Sequence, residues 1–345
     1  MTEAPTTIRT LGYGEEASWD AYVQATPAAT FFHLSGWRRV LEKATPHKTY
    51  YLLAERAGRV VGVLPLAHVR SWLFGSGLIS TPFCVYGGAV ADDEPIRHAL
   101  EDKAVSLARE LAVDYLELRN LTPSRADWPT KALYVTFRRP ISEDPQANLN
   151  AIPRKQRAVV RKGQQLGLVG VIDDNTDRLY SIYSESVRNL GTPVFSSEYL
   201  RVLFNTFRSS SEVTTVEHGG NAVASVLSFY FRDEVLPYYG GGTAVARDCY
   251  ANDFMYWDVM ARAGQRGVRL FDYGRSKRET GSYRFKKHWG FEETPLAYEY
   301  SLVRAKTMPN VSPTNAKYHL FVEAWKRLPL PLSRMLGPPL ARNLG

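Results

Sequence analysis

EVTTVEHGGNAVASVLSFYFRDEVLPYYGGG, residues 212–242, is the stretch that decides the fold. Glu212–Val216 is rich in strand formers, and Glu217-His218-Gly219-Gly220-Asn221 supplies a turn. Ala222–Phe231 returns as a second strand, and Val235–Gly242 forms a third that ends in Tyr239-Gly240-Gly241-Gly242. Apolar residues then recur at helical spacing over Asn252–Arg266, and Val268–Tyr273 is again a strand. The same order occurs earlier in the chain. Thr49–Ala54, the turn Glu55-Arg56-Ala57-Gly58-Arg59 and Val60–Val69 make a hairpin, followed by a strand region Leu78–Val90 containing Tyr86-Gly87-Gly88. A helix over Glu94–Leu111 and a strand Tyr115–Leu118 complete it. The two turns lie 162 residues apart and the two Tyr-Gly-Gly elements 153 apart, so one unit is used twice. Two α/β domains with mixed sheets follow, expected at residues 1–147 and 148–302, with a tail over 303–345.

The 345 residues, 44% of them hydrophobic, are enough for two buried cores. No run of about 18 apolar residues occurs, so no helix is expected to span a bilayer. The first residues, MTEAPTTIRT, lack the basic start and apolar core of a secretory signal, which reads as a cytoplasmic protein. Cys84 and Cys249 form neither a disulfide framework nor a CxxC pair, so structural zinc and dithiol chemistry fall away and no metal site is expected.

The net charge of +8 is unevenly placed. Residues 154–170 hold +5, residues 275–288 another +5 and residues 304–345 +6, which leaves −8 for the remainder. An acidic body with three basic places suits an anionic partner. In the first place, Arg154, Arg157 and Arg161 share one stripe of an interdomain helix whose guanidinium groups match phosphate oxygens. An exposed helix with incidental charge would give the same stripe.

The second place is GRSKRETGSYRFKKHWGF, residues 274–291, directly after the strand Leu270-Phe271-Asp272-Tyr273. Sites of α/β folds lie where such strands end. Arg275, Lys277 and Lys286 bring positive charge beside Tyr283, Phe285 and Trp289, and a held lysine can stabilise an oxyanion formed in acyl transfer. Asp272 reads either as a group that orients Arg275 or accepts an amine proton, or as a buried carboxylate paired with an arginine.

The blocks PRKQRAVVRKGQQLGL, Arg188 with Gly191-Thr192-Pro193, NDFMYWDVMARAGQRGVRLFDYGRS and TGSYRFKKHWGF together resemble the Fem family of aminoacyl and acyl transferases. The branch they resemble most is associated with exosortase and PEP-CTERM exopolysaccharide systems. The resemblance runs over nearly the whole chain and implies tandem GNAT-like domains. It implies catalytic roles for the Phe285–Lys286 pair and substrate-binding roles for Trp37, Arg154, Arg157, Arg161 and Arg188; Asp272 is a further catalytic candidate, and Tyr86, Arg275 and Tyr283 are further expected substrate contacts. The resemblance further implies transfer to an amine of a cell-envelope or polysaccharide precursor, with acyl-CoA or aminoacyl-tRNA as donor and no DNA partner.

A long coiled-coil arm for tRNA is absent, and the usual pyrophosphate loop of acyl-CoA enzymes is not present in full. Its place is taken by Arg247–Asn252, where the following helix start, with Asn252 and Trp257, is the expected donor contact. No Ser-His-Asp or Cys-His arrangement is visible, which favours direct attack by the amine. The tail from Lys317 onward is basic and amphipathic. It either lies on the inner face of the plasma membrane or packs back on the first domain. An RNA-recruiting protein with a vestigial site, and a peripheral membrane scaffold, are the non-enzymatic alternatives.

Overall fold

The computed structural model describes residues 4–71, 75–309 and 316–343. Met1–Glu3, at the start of the stretch read for a leader, and the side chain of Lys317, where the tail reading starts, lie outside the described residues. The chain divides into two compact units. The first comprises residues 1–134, 295–311 and 342–345, and the second residues 135–294 and 312–341. The division falls before Tyr134–Pro140 is complete because that strand belongs to the second sheet, while Ala297–Leu302 is built into the first. The expected limits at 147 and 302 miss this exchange of strands.

In the first unit the sheet runs Thr6–Thr10, Lys48–Arg56, Arg59–Ser71, Gly75–Ser80, Tyr115–Asn120, Ala297–Leu302, Thr130–Lys131. The hairpin turn is where the sequence puts it, with Ala57 and Gly58 at positive φ. The helix Glu94–Glu110 is capped by Asp93, whose side chain accepts from the Ile96 N–H, and it buries Ile96, Leu100, Ala104 and Ala108. The strand expected to run on to Val90 stops at Ser80. Pro82 follows, and Thr81 and Phe83 take positive φ, so the backbone leaves the sheet. Tyr86-Gly87-Gly88 therefore lies in a loop, where the N–H groups of Gly87 and Gly88 both donate to the Arg119 carbonyl.

In the second unit the order is Glu293–Pro295, Tyr134–Pro140, Leu270–Lys277, Glu234–Gly242, Asn221–Phe231, Ser211–His218, Val169–Asp173. Here Tyr239-Gly240-Gly241 does lie in a strand, so the two Tyr-Gly-Gly elements are not structural equivalents. The helix Ala251–Gln265 covers one face and buries Phe254, Met255, Val259 and Met260 against Val226, Val235 and Phe271. The basic helix Arg154–Gln165 is not free-standing. Val160 and Gly163 are buried, and a Cβ on Gly163 would sit 3.2 Å from the Phe254 Cβ, so the helix is part of this core with its arginines on the outer side.

Gly264 passes so close to the Ser142 carbonyl that a Cβ there would collide with backbone. Gly264→Ala is expected to destabilise the second unit by about 2 kcal/mol, a loss of several degrees in Tm. An unchanged melting curve would show that the segment around Ser142 moves freely.

The tail forms the helices Ala316–Lys326 and Leu330–Ala341. Both sit on the second unit's helix Asp177–Asn189, so of the two sequence readings of the tail, packing on the first domain does not describe these helices. Gly337 permits the close approach to Val194, and Arg334 donates to the Ser184 hydroxyl at 2.9 Å.

Candidate active site

Two neighbouring strands of the second sheet run parallel but stay paired only at Glu234 with Leu270 and Val235 with Phe271. Beyond those residues Leu236–Gly242 and Asp272–Lys277 are no longer in register, and a wedge opens at the ends of the strands. On one wall, the ladder with Asn221–Phe231 jumps from Leu227 opposite Tyr239 to Ser228 opposite Pro237, so Tyr238 faces no residue. Such a bulge frees backbone polar groups beside the opening. Behind that wall Tyr199 and Tyr239 share a hydroxyl contact at 3.1 Å, and Phe195 stacks on Tyr199 at 4.3 Å. The Tyr183 phenol is pushed well up by burial alone.

The other wall is held by Lys286. Gly274 takes φ +65, a turn that only glycine makes without strain, and it brings three successive carbonyls to one side. The helix Gly281–His288, capped by Thr280, carries Lys286 beneath them. Its Nζ donates to the carbonyls of Tyr273 at 2.7 Å, Gly274 at 3.0 Å and Arg275 at 3.2 Å. Burial pushes this amine down to about 7, with Asp272 pulling it up and Arg275 adding to the depression. The donors expected to meet an oxyanion are thus directed at the strand itself.

Asp272 is fully buried and accepts the Gly274 N–H at 2.6 Å. Its other oxygen is 3.2 Å from Arg138 Nε. Of the two readings of Asp272, the buried carboxylate paired with an arginine describes this geometry, and the arginine is Arg138, which also pairs with Glu234. Phe285 packs against Tyr256 at 5.6 Å and Trp289 at 6.0 Å on the outer side of the core. Tyr283 lies edge-on to Phe137 and donates to Glu293. Arg275 is half-buried at the end of the kink.

The remaining expected site residues scatter. Trp37 is completely buried between Phe31 and Phe32 in the first unit, so it is a core residue there. Arg188 donates to the Leu328 carbonyl at 3.1 Å and so anchors the tail. Trp257 packs beside Phe254 on the core, while Asn252, in the first turn of the helix after the wedge strand, approaches Gly242. Arg154 and Arg161 are exposed, and Arg157 reaches Asn150 Oδ1 at 3.3 Å. His68 meets the Ser76 hydroxyl at 2.8 Å. Among the described residues no group of His, Cys, Asp and Glu is placed to hold a metal ion.

The first unit has a cavity of about 270 Å³ lined by Thr30, His33, Tyr86, Arg97, Arg119, Asn120 and Ser124. Tyr86 is the one expected site residue that lines it. Sequence reasoning missed this cavity, as it missed the bulge at Tyr238 and the Arg138 partner of Asp272. The signal in the sequence was the polar residues Glu117, Arg119 and Asn120 within the strand Tyr115–Asn120.

Residues 150–287 match the family model described as acetyltransferase (GNAT) domain. The crystal structure of FemX superposes with a TM-score of 0.67 at 13% identity, covering 86% of this chain and 98% of that one. A tandem GNAT protein from the clavulanic acid biosynthesis pathway gives a TM-score of 0.55 at 14% identity, covering 87% of this chain and 99% of that one. No curated protein sequence matches the chain. Residues 150–287 therefore carry a GNAT acetyltransferase domain, and the chain has the fold of tandem GNAT proteins.

Proposed function

We propose that the chain is a Fem-type N-acyltransferase that moves an acyl group from acyl-CoA, with aminoacyl-tRNA as the alternative donor, to an amine of a cell-envelope or exopolysaccharide precursor. The observation that carries this reading is the wedge beside the unopposed Tyr238, inside the segment matched by the acetyltransferase model. A thioester laid along the bulged strand would direct its carbonyl oxygen at freed backbone N–H groups, and each such donor is worth about 3 kcal/mol at a developing oxyanion. The neutral amine forms the new C–N bond, the tetrahedral intermediate collapses with loss of the C–S bond, and the thiol leaves with the proton that the amine gives up. Lys286 holds the kink of the facing wall, and the exposed Arg154 and Arg161 offer charge to an anionic donor or acceptor.

Incubation of the full chain with acetyl-CoA, longer acyl-CoAs or charged tRNA, each with a panel of amines, tests the reading. Amine-dependent release of free thiol, or amine-dependent deacylation of the tRNA, is expected. Consumption of neither donor with any amine would overturn it and favour an RNA-recruiting role, checked by salt-dependent tRNA binding.

A further inference from the structure

The helix Leu330–Ala341 is built inside out. Its buried stripe is Ser333, Gly337 and Ala341, all small, whereas its outward stripe is Pro331, Leu332, Met335, Leu336 and Pro339, without a polar residue. An amphipathic helix on a water-facing surface has the opposite arrangement. Met335 is 63% exposed, and Leu320 and Phe321 of the preceding helix are exposed as well, Leu320 to 78%. Leu190, beside the Gly191 that these helices approach through Val322, is 68% exposed. Large apolar side chains gathered in one unit in this way mark a surface that something covers.

Charge identifies what covers it. Residues 316–345 hold five Lys or Arg and one acid, Glu323, which pairs with Lys326. Lys326 and Arg327 are exposed at the junction of the two helices. A second copy of the chain would bring the same basic charges together across the contact, which is unfavourable. An anionic lipid surface accepts both components at once, the Leu, Met and Phe side chains into the acyl boundary and the cations at the headgroups. Pro338 and Pro339 inside the helix remove backbone donors, so its shape depends on what it packs against.

We infer that Ala316–Lys326 and Leu330–Ala341 form a docking surface for an anionic phospholipid bilayer, with Leu320, Phe321, Leu332, Met335 and Leu336 entering the interface. None of these side chains lies on the wedge strands, and the inference does not depend on whether the chain transfers acyl groups.

Co-sedimentation of the full chain with phosphatidylcholine vesicles, and with vesicles in which about a third of the lipid is phosphatidylglycerol, tests it. Binding to the anionic vesicles is expected, at least tenfold stronger than to neutral ones and weakened by salt. The double substitution Met335→Glu with Leu336→Glu should abolish it, and Lys326→Glu with Arg327→Glu should weaken it about tenfold, each with unchanged circular dichroism. If the first variant loses its fold, Leu320→Gln with Phe321→Gln carries the same test. Absence of binding, or binding indifferent to these changes, overturns the inference. A dimer in light scattering that Met335→Glu with Leu336→Glu converts to a monomer also overturns it and assigns the face to a second copy.

Discussion

Replacing Lys286 by methionine is expected to lower turnover about a hundredfold and to lower the melting temperature at the same time. Methionine keeps the length and apolar stem of lysine and removes its N–H donors together with its charge. The carbonyls of Tyr273, Gly274 and Arg275 then lose their shared donor in a buried place. An unsatisfied buried acceptor costs about 1–3 kcal/mol, and removal of a buried cation offsets part of this, so a net loss of about 2–4 kcal/mol is expected. Catalysis suffers because Gly274 and the residues after it form one wall of the wedge, and a displacement of about 1 Å there is worth roughly a hundredfold. An ammonium that served the oxyanion directly would behave differently. Its removal would lower turnover while relieving a buried charge, leaving the melting temperature unchanged or raised. The pair of measurements separates the positioning role from the direct one, and a variant unchanged in both would sink both.

The same residue sets a pH dependence whose sign can be worked out. Burial holds the folded amine at about 7, below the 10.5 of an ordinary lysine. Between those values the unfolded chain binds a proton that the folded chain does not, so the contribution of Lys286 to stability rises with pH across this window and is absent below it. Denaturation of the wild type and the methionine variant from neutral to alkaline pH should show the wild type gaining relative to the variant. Parallel curves would mean that the amine keeps its ordinary affinity for protons.

Which parts of the molecule were legible in the sequence follows from the range of the interactions involved. The hairpins at Lys48–Ser71 and Ser211–Phe231 are local, fixed by alternation and by a glycine turn, and both appear as read. The helices after them carry the expected stripes. Tyr86-Gly87-Gly88 misled because the three letters match Tyr239-Gly240-Gly241, while the positive φ values at Thr81 and Phe83 take the chain out of the sheet before them. The site residues failed or survived for a different reason. A motif gives residue type and neighbourhood, but where a side chain points depends on partners far away in sequence. Asp272 faces Arg138, and Arg188 faces the carbonyl of Leu328, 140 positions on. Neither pairing leaves a mark in the local sequence. Lys286 reads in the sequence as a lysine held beside the strand end to meet an oxyanion, and only the geometry shows that its donors meet the carbonyls of Tyr273, Gly274 and Arg275.

Arg119→Met should be the most destabilising single change in the first unit, by about 3–5 kcal/mol. Arg119 is 1% exposed, donates through Nε to Glu117 at 2.8 Å and through Nη1 to the Cys84 carbonyl at 2.7 Å, and lies near the Tyr298 ring. Glu117 also accepts from the Tyr300 hydroxyl at 2.7 Å, and Asn120, the residue after Arg119 on the same strand, donates to the buried Glu299. Glu299 in turn accepts the N–H groups of Ser124 at 3.0 Å and Arg125 at 2.8 Å. These contacts tie Ala297–Leu302 to Tyr115–Asn120 and line one side of the cavity, so a loss here is felt along the whole seam. Burial, then the charge on Glu117, raises the Tyr300 phenol, and that hydroxyl remains a donor after the substitution. Arg119→Met therefore leaves a buried carboxylate with a neutral partner and without its cation. Removing the charge as well, in Glu117→Gln with Arg119→Met, should recover part of the loss, because a neutral pair needs no counter-charge. Urea denaturation of the two variants, following the transition of the first unit, measures the coupling. A single substitution that costs less than about 1 kcal/mol, or a double one that costs the sum of its parts, would show that Glu117 takes its compensation from elsewhere.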